Sequence, residues 1–171
     1  AIAPCGTIGL LMDCDTTGVE PDFALIKFKK LSGGGYFRIV NQSVPMALKN
    51  LGYEAKQIKA IINFISGTAT FSGAPYINHE TLSSLGFLRE DIDKLEKGAV
   101  SAFDIRFLFN YFNLGTACME RLGFKPSQYE NFNFDVLDAL GFSQEQIEEA
   151  NRFVCGTMTI EGAPGLQKEH L

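Results

Sequence analysis

The sequence predicts a mainly α-helical fold: helical hairpins in a duplicated arrangement, preceded by short β-strands. Residues 47–82 and 136–171 align without a gap at an offset of 89, and 14 of those 36 positions are identical. A Leu-Gly-aromatic unit recurs four times, opened by Leu51, Leu85, Leu122 and Leu140. The first 42 residues instead carry short apolar runs of strand length. Self-similarity over such a length sets the architecture before any single residue does.

Three strands are expected in the first part, at Thr7–Met12, Phe23–Phe28 and Tyr36–Val40. The turn formers of residues 13–21 and the Gly33-Gly34-Gly35 run separate them. Near-continuous apolar strands suit a sheet covered on both faces, and so small a set is marginal alone. Their partners are therefore expected outside this chain, which reads as a piece of a longer polypeptide.

From Ser43 the pattern becomes helical. Ser43 caps a helix stopping at Gly52, and a second helix fits Glu54 to Ser66. Asn78 caps a short helix to Leu85, and residues 89–97 form another, ended by Gly98. Ser101 with Asp104 resembles a capping box opening a helix over 102–112, apolar on most sides and expected near the centre of the core. Ser143 with Gln146 is a further capping box, for a helix running to Cys155. In each Leu-Gly-aromatic unit the Gly takes a left-handed cap and the aromatic folds back on the core. Seven residues after each Leu, Ile58, Ile92, Tyr129 or Ile147 is presented to the same place. The two Gly-Ala-Pro segments, at 73–75 and 162–164, read as turns that stitch one helical unit to the next.

Composition narrows the function. The chain has 171 residues, 46% of them hydrophobic, with 15 Phe, enough for a core. A net charge of −5 argues against an electrostatic grip on nucleic acid. Serial hairpins also occur in nucleic-acid-binding and ubiquitin-binding modules, but these loops lack the Gly-x-Gly pair and the Lys or Arg that phosphate gripping needs. No apolar run reaches the ~18–20 residues of a membrane span, and no leader pattern opens the chain. Cys5, Cys14, Cys118 and Cys155 form no Cys-x-x-Cys pair and are expected as free, mostly buried thiols. Asp13-Cys14-Asp15 cannot turn all three side chains to one ion, so no metal site is expected. The best small-ligand candidate is Ala3-Pro4-Cys5-Gly6-Thr7, where Gly6 admits an anion close to the backbone, successive N–H groups can form a nest and Thr7 adds a hydroxyl donor.

The run APCGTIGLLMDCDTTGVEPDFALIKFKK at 3–30, continuing to Pro45, resembles the late barrel segment of adenosylcobalamin-dependent (class II) ribonucleotide reductases. CGTMTIEGAPGLQKEHL at 155–171 is similar to a later stretch of the same enzymes. The resemblance implies an α/β parent, a ten-stranded barrel in which a cobalamin-generated thiyl radical abstracts the ribose 3′ hydrogen. It divides the chain into 1–42, a strand-rich end of the catalytic barrel with a phosphate loop, and 43–171, a helical domain with two related units. In that family a loop usually reading Pro-Thr-Gly-Thr donates backbone N–H groups to the substrate phosphates. It falls here on Pro4, Cys5, Gly6 and Thr7, with Cys5 departing from the usual Thr.

The family's Asn-Pro-Cys-Gly-Glu motif and its terminal Cys-x-x-Cys are absent from these residues, so no catalytic or metal residue is carried over. The implied cofactor is adenosylcobalamin. The implied partners are the remainder of the reductase polypeptide, a ribonucleotide and an external thiol reductant, in the cytoplasm, with no nucleic acid and no membrane. The alternative is a free-standing helical interaction module without catalytic activity.

Overall fold

The computed structural model describes residues 5–12, 14–16, 24–30 and 36–170. They form a mainly helical structure with one short two-stranded sheet. The expected strand at Thr7–Met12 is instead helix α1, Gly6–Leu11. A strand needs a neighbouring ladder, and the sheet described here contains only two other segments. The segment satisfies its backbone locally: the N–H of Gly9 donates to the Cys5 carbonyl at 2.7 Å, and that of Met12 to Ile8 at 2.9 Å.

The other two expected strands are present as β1 (Ile26–Lys30) and β2 (Tyr36–Val40). They pair antiparallel, with Phe28 opposite Arg38. Phe23 and the Gly33–Gly35 run lie outside the described residues.

Helices α2 (Ser43–Asn50), α3 (Ala55–Ser66), α4 (His79–Ser84) and α10 (Gln144–Cys155) lie close to the expected boundaries, but Ser43 is the first residue of α2 and not its cap; that place is taken by Gln42, whose side chain makes no capping bond. Asn78 and Ser143 act as caps, accepting from the N–H groups of Thr81 and Gln146. Each Leu-Gly-aromatic unit closes its helix in the same way. The four glycines have φ of +89°, +106°, +86° and +91°. The N–H of each following aromatic, Tyr53, Phe87, Phe124 and Phe142, donates to a carbonyl five residues back. This is the Schellman arrangement, in which a residue without Cβ carries the left-handed turn.

Helix α5 (Arg89–Ala99) passes through Gly98 rather than ending on it. A Cβ at Gly98 would strike the Leu108 side chain, so this glycine serves close packing and not a cap. The helix expected over 102–112 does not form. The Asp104 carboxylate takes the N–H of Arg106 at 2.8 Å, limiting the segment to a 3-10 turn, Ile105–Phe107. Asn110 then caps α6 (Tyr111–Leu114) by accepting from Asn113. Polar side chains inside an apolar run competed for the backbone and cut it into pieces. Only part of the run is central: Ile105, Leu108 and Phe109 are buried, whereas Phe103, Phe107 and Phe112 are exposed. Helices α7 (Thr116–Arg121), α8 (Pro126–Tyr129) and α9 (Val136–Ala139) complete the wall. No described helix is long and apolar enough to cross a membrane.

The Gly-Thr-x-Thr segments do more than turn. The N–H groups of Thr68 and Ala69 donate to Phe153 and Val154 at 2.9 and 3.0 Å. Those of Thr157 and Met158 donate to Phe64 and Ile65, also at 2.9 and 3.0 Å. Each of these four bonds is related to another by the sequence offset of 89. Ala69 and Met158, at the same place in the two copies, share an unusual positive φ of 57° and 59°. Beyond this crossing each arm packs on the other copy. Phe71, Ala74 and Ile77 enter the cluster that holds Ile147, Ala150 and Val154. Their counterparts Ile160, Ala163 and Leu166 join Leu48, Ile61 and Ile65. The arms therefore cross between the copies, where the sequence pattern had implied turns joining one unit to the next.

Candidate functional site

Of the four expected phosphate-loop residues, Pro4 lies outside the described residues and the other three open α1. Cys5 precedes the helix and is half-buried, Gly6 begins it, and the Thr7 side chain is exposed. First-turn amides of a helix have no acceptor within it. A Cβ added to Gly6 would meet nothing within 4 Å, so open space faces this backbone.

A short chain of contacts leads from this segment into the protein. The Gln42 N–H donates to the Asp15 carboxylate at 2.8 Å, and the Lys27 ammonium donates to the Asp15 carbonyl. Asp15 thus touches β1 and the residue before α2. From β2, Arg38 reaches into the helical part. Its Nη1 donates to Ser66 at 2.6 Å and lies 3.4 and 3.5 Å from the carbonyls of Val154 and Cys155. Its Nη2 donates to Ala99 and Ala102 at 2.9 and 2.8 Å. One guanidinium thus binds the C-terminal ends of α3, α5 and α10, where carbonyl partial charges are negative. The sequence signals it only by a lone Arg inside the run Tyr36–Val40.

The thiols behave as structural groups. Cys118 and Cys155 are buried, and burial pushes each pKa up to about 11. The Asp91 carboxylate adds to the rise at Cys118, while the Arg38 guanidinium opposes it at Cys155. Cys14 is exposed and Cys5 half-buried, so only half of the expectation of buried thiols holds. Near neutral pH in the native state, a maleimide is expected to label Cys14 first and to spare Cys118 and Cys155. Peptide mapping checks this. Because both buried thiols hold their protons above the ordinary value, their contribution to stability is intact below pH ~9. It is lost as pH rises toward about 11, by roughly 2–3 kcal/mol per thiol. Urea midpoints measured from pH 8 to 11 should therefore fall, and the fall should shrink in Cys118→Ala.

Both histidines are engaged. His79 Nε2 is 2.6 Å from Glu96 Oε1, which also accepts from the Phe71 N–H and the Thr70 hydroxyl at 2.9 and 3.1 Å. His170 Nδ1 is 2.7 Å from the Tyr53 hydroxyl. Among the described residues no group of three His, Cys, Asp or Glu converges as a metal site. A groove of about 340 Å³ is lined by Phe107, Phe112 and Phe132, with Tyr111 stacked on Tyr129 at 5.2 Å.

Among the described residues a short helix precedes a two-stranded sheet that packs on a set of helices. The chain belongs to the ribonucleotide reductase family: the family model for the ribonucleotide reductase barrel domain matches residues 1–86. It is similar to the vitamin B12-dependent ribonucleotide reductase of Agrobacterium fabrum, with 52% identity over 171 residues, 99% of this chain and 13% of that protein. The enzyme of the same name from Bradyrhizobium diazoefficiens is 52% identical over 170 residues, 14% of its length. That of Streptantibioticus cattleyicolor is 57% identical over 79 residues, 46% of this chain. The chain thus spans 13–14% of the length of the first two relatives.

Proposed function

We propose that this chain is part of an adenosylcobalamin-dependent ribonucleotide reductase that converts ribonucleotides to deoxyribonucleotides in the cytoplasm, with an external thiol as reductant. Residues 1–42 contribute the end of the α/β barrel. Pro4, Cys5, Gly6 and Thr7 offer their backbone to the substrate phosphates. Residues 43–171 form a structural domain of duplicated helical hairpins that braces the barrel wall near that loop. The observation that carries the reading is similarity at 52% identity along 99% of the chain to reductases of that name.

Gly6→Val in the full reductase polypeptide tests it. Among the described residues, no atom of a packed neighbour lies within 4 Å of the added Cβ. A side chain there should obstruct only a ligand that approaches the backbone. The expected result is a KM for ribonucleotide raised at least tenfold with the melting temperature unchanged; an unaltered KM would remove the loop from the substrate site.

The second reading, a helical interaction module without catalysis, is favoured by the aromatic groove. Phe107, Phe112 and Phe132 are 72%, 85% and 94% exposed, and contiguous apolar surface of this kind marks interaction faces. It predicts no nucleotide affinity in either the parent or the variant.

A further inference from the structure

We infer that Arg38 is a positioning residue for the phosphate loop: by gripping three helix ends it sets the angle at which the β1–β2 hairpin, and α1 tethered to it through Asp15, is presented to substrate. The inference rests on the phosphate-loop reading above. Two kinds of contact hold the hairpin on the helical part. One is apolar: Ile26, with Leu25, Phe28 and Val40, packs against the cluster of Leu48, Ile61 and Ile65. The hydrophobic driving force is non-directional, so this contact constrains the hairpin's angle only through side-chain packing. The other is the Arg38 fork, whose planar donors reach carbonyls of Ser66, Ala99 and Ala102 at 2.6 to 2.9 Å. Charge-assisted bonds in a rigid fork are directional.

The side chain is held on its other faces as well. The Phe28 ring lies 5.6 Å from the guanidinium carbon and packs in turn on Phe103, with centroids 4.2 Å apart. Among the described residues, Arg38 Nε is buried without a hydrogen-bond partner. A residue present only to fill space would not bury an unpaired donor. All of the guanidinium's hydrogen bonds described here run through its two outer nitrogens. The three carbonyl-bearing segments come from both copies and from the helix between them, so the hairpin is referenced to the whole helical part.

The route back to the loop is equally short. Asn41 and Gln42 follow β2 directly. The Asn41 N–H donates to Leu25 at 2.9 Å, and the Gln42 N–H to Asp15 at 2.8 Å. Lys27 of β1 binds the carbonyl of the same Asp15, which lies four residues beyond the end of α1. A rotation of the hairpin about its apolar contact therefore carries α1 with it.

The test uses the full reductase polypeptide with Arg38→Met, which keeps the apolar stem, and Arg38→Lys, which keeps the charge without the fork. The readouts are KM and kcat for ribonucleotide, and amide hydrogen exchange of residues 6–12 with and without ribonucleotide. The expected result is KM raised five- to tenfold in Arg38→Met and less in Arg38→Lys, with kcat within twofold. Nucleotide protection of the α1 amides should weaken in parallel while exchange in α4 stays unchanged. Equal KM in wild type and variants, with α1 still protected by nucleotide, would overturn the positioning role and leave the loop reading intact. Absence of α1 protection in the wild type would overturn the loop reading and this inference with it. Faster exchange throughout α3, α5 and α10 in both variants, with KM and kcat falling together, would reduce Arg38 to a structural residue.

Discussion

Replacing Gly67 with alanine is expected to destabilise the helical part by about 4 kcal/mol or more, among the largest effects open to a single methyl group. Gly67 has φ +71° and ψ 173°, and Gly156 has φ +79° and ψ 175°. That backbone region is essentially closed to residues with a Cβ. Space is closed as well. A Cβ on Gly67 would overlap the carbonyl oxygen of Val154 and the backbone of Cys155 and Gly156; one on Gly156 would overlap Ile65 and Ser66. These neighbours are main chain and cannot swing aside. The comparison is Gly52→Ala, at φ +89° with nothing within 4 Å of the new Cβ, where conformational strain alone costs about 1 kcal/mol. Urea denaturation followed by circular dichroism should separate the two substitutions by at least threefold in free energy. Equal costs would mean that the copies do not meet at these glycines.

Arg121→Met is expected to cost about 3–5 kcal/mol, because it strands a buried carboxylate. Asp91 is 2% exposed. Its Oδ2 accepts from the Leu88 N–H at 2.9 Å and is paired with Nη2 of Arg121. The Arg121 Nε also donates to the Gly86 carbonyl at 2.9 Å, tying α7 to the turn between α4 and α5. Asp91→Asn should cost less, since the amide oxygen still accepts from Leu88. The double variant Asp91→Leu with Arg121→Met should recover much of the loss, because a buried ion pair is often matched by apolar groups of similar volume. A double-mutant cycle in urea reads the coupling directly. A coupling near zero would show that solvent already screens the pair.

The two glycine positions also show what a single sequence discloses. Gly52 was legible because its role is local: a helix ends, the chain turns left-handed, and an aromatic follows at once. The same holds for Asn78 and Ser143, whose side chains bond backbone three residues away. Gly67 and Gly156 were visible as identical residues in the repeat, but their partner backbone lies 89 positions off in register, beyond any window of periodicity. Arg38 was hidden for the same reason, its acceptors standing at 66, 99, 102, 154 and 155. The apolar stretch 102–112 misled in the opposite direction. Its hydrophobicity fitted a central helix, yet Asp104 and Asn110 were cap residues in plain view. The segment Gly6–Leu11 shows composition failing outright: apolar residues of strand length close a helix here, with no ladder beside them among the described residues. In the candidate site, Gly6 and the residues around it stood out by composition and family resemblance assigned them to phosphate, whereas the contacts through Asp15 and Arg38 came only from the structure.

The crossed arms describe a two-fold dimer folded into a single chain. Each copy presents the surface that the other needs, as identical subunits do across a symmetric interface. Residues 83–135 join the two copies and are themselves built into the core through Leu95, Ile105 and Met119. At the crossing, backbone meets backbone at Gly67 and Gly156, so neither copy has room there for an added side chain.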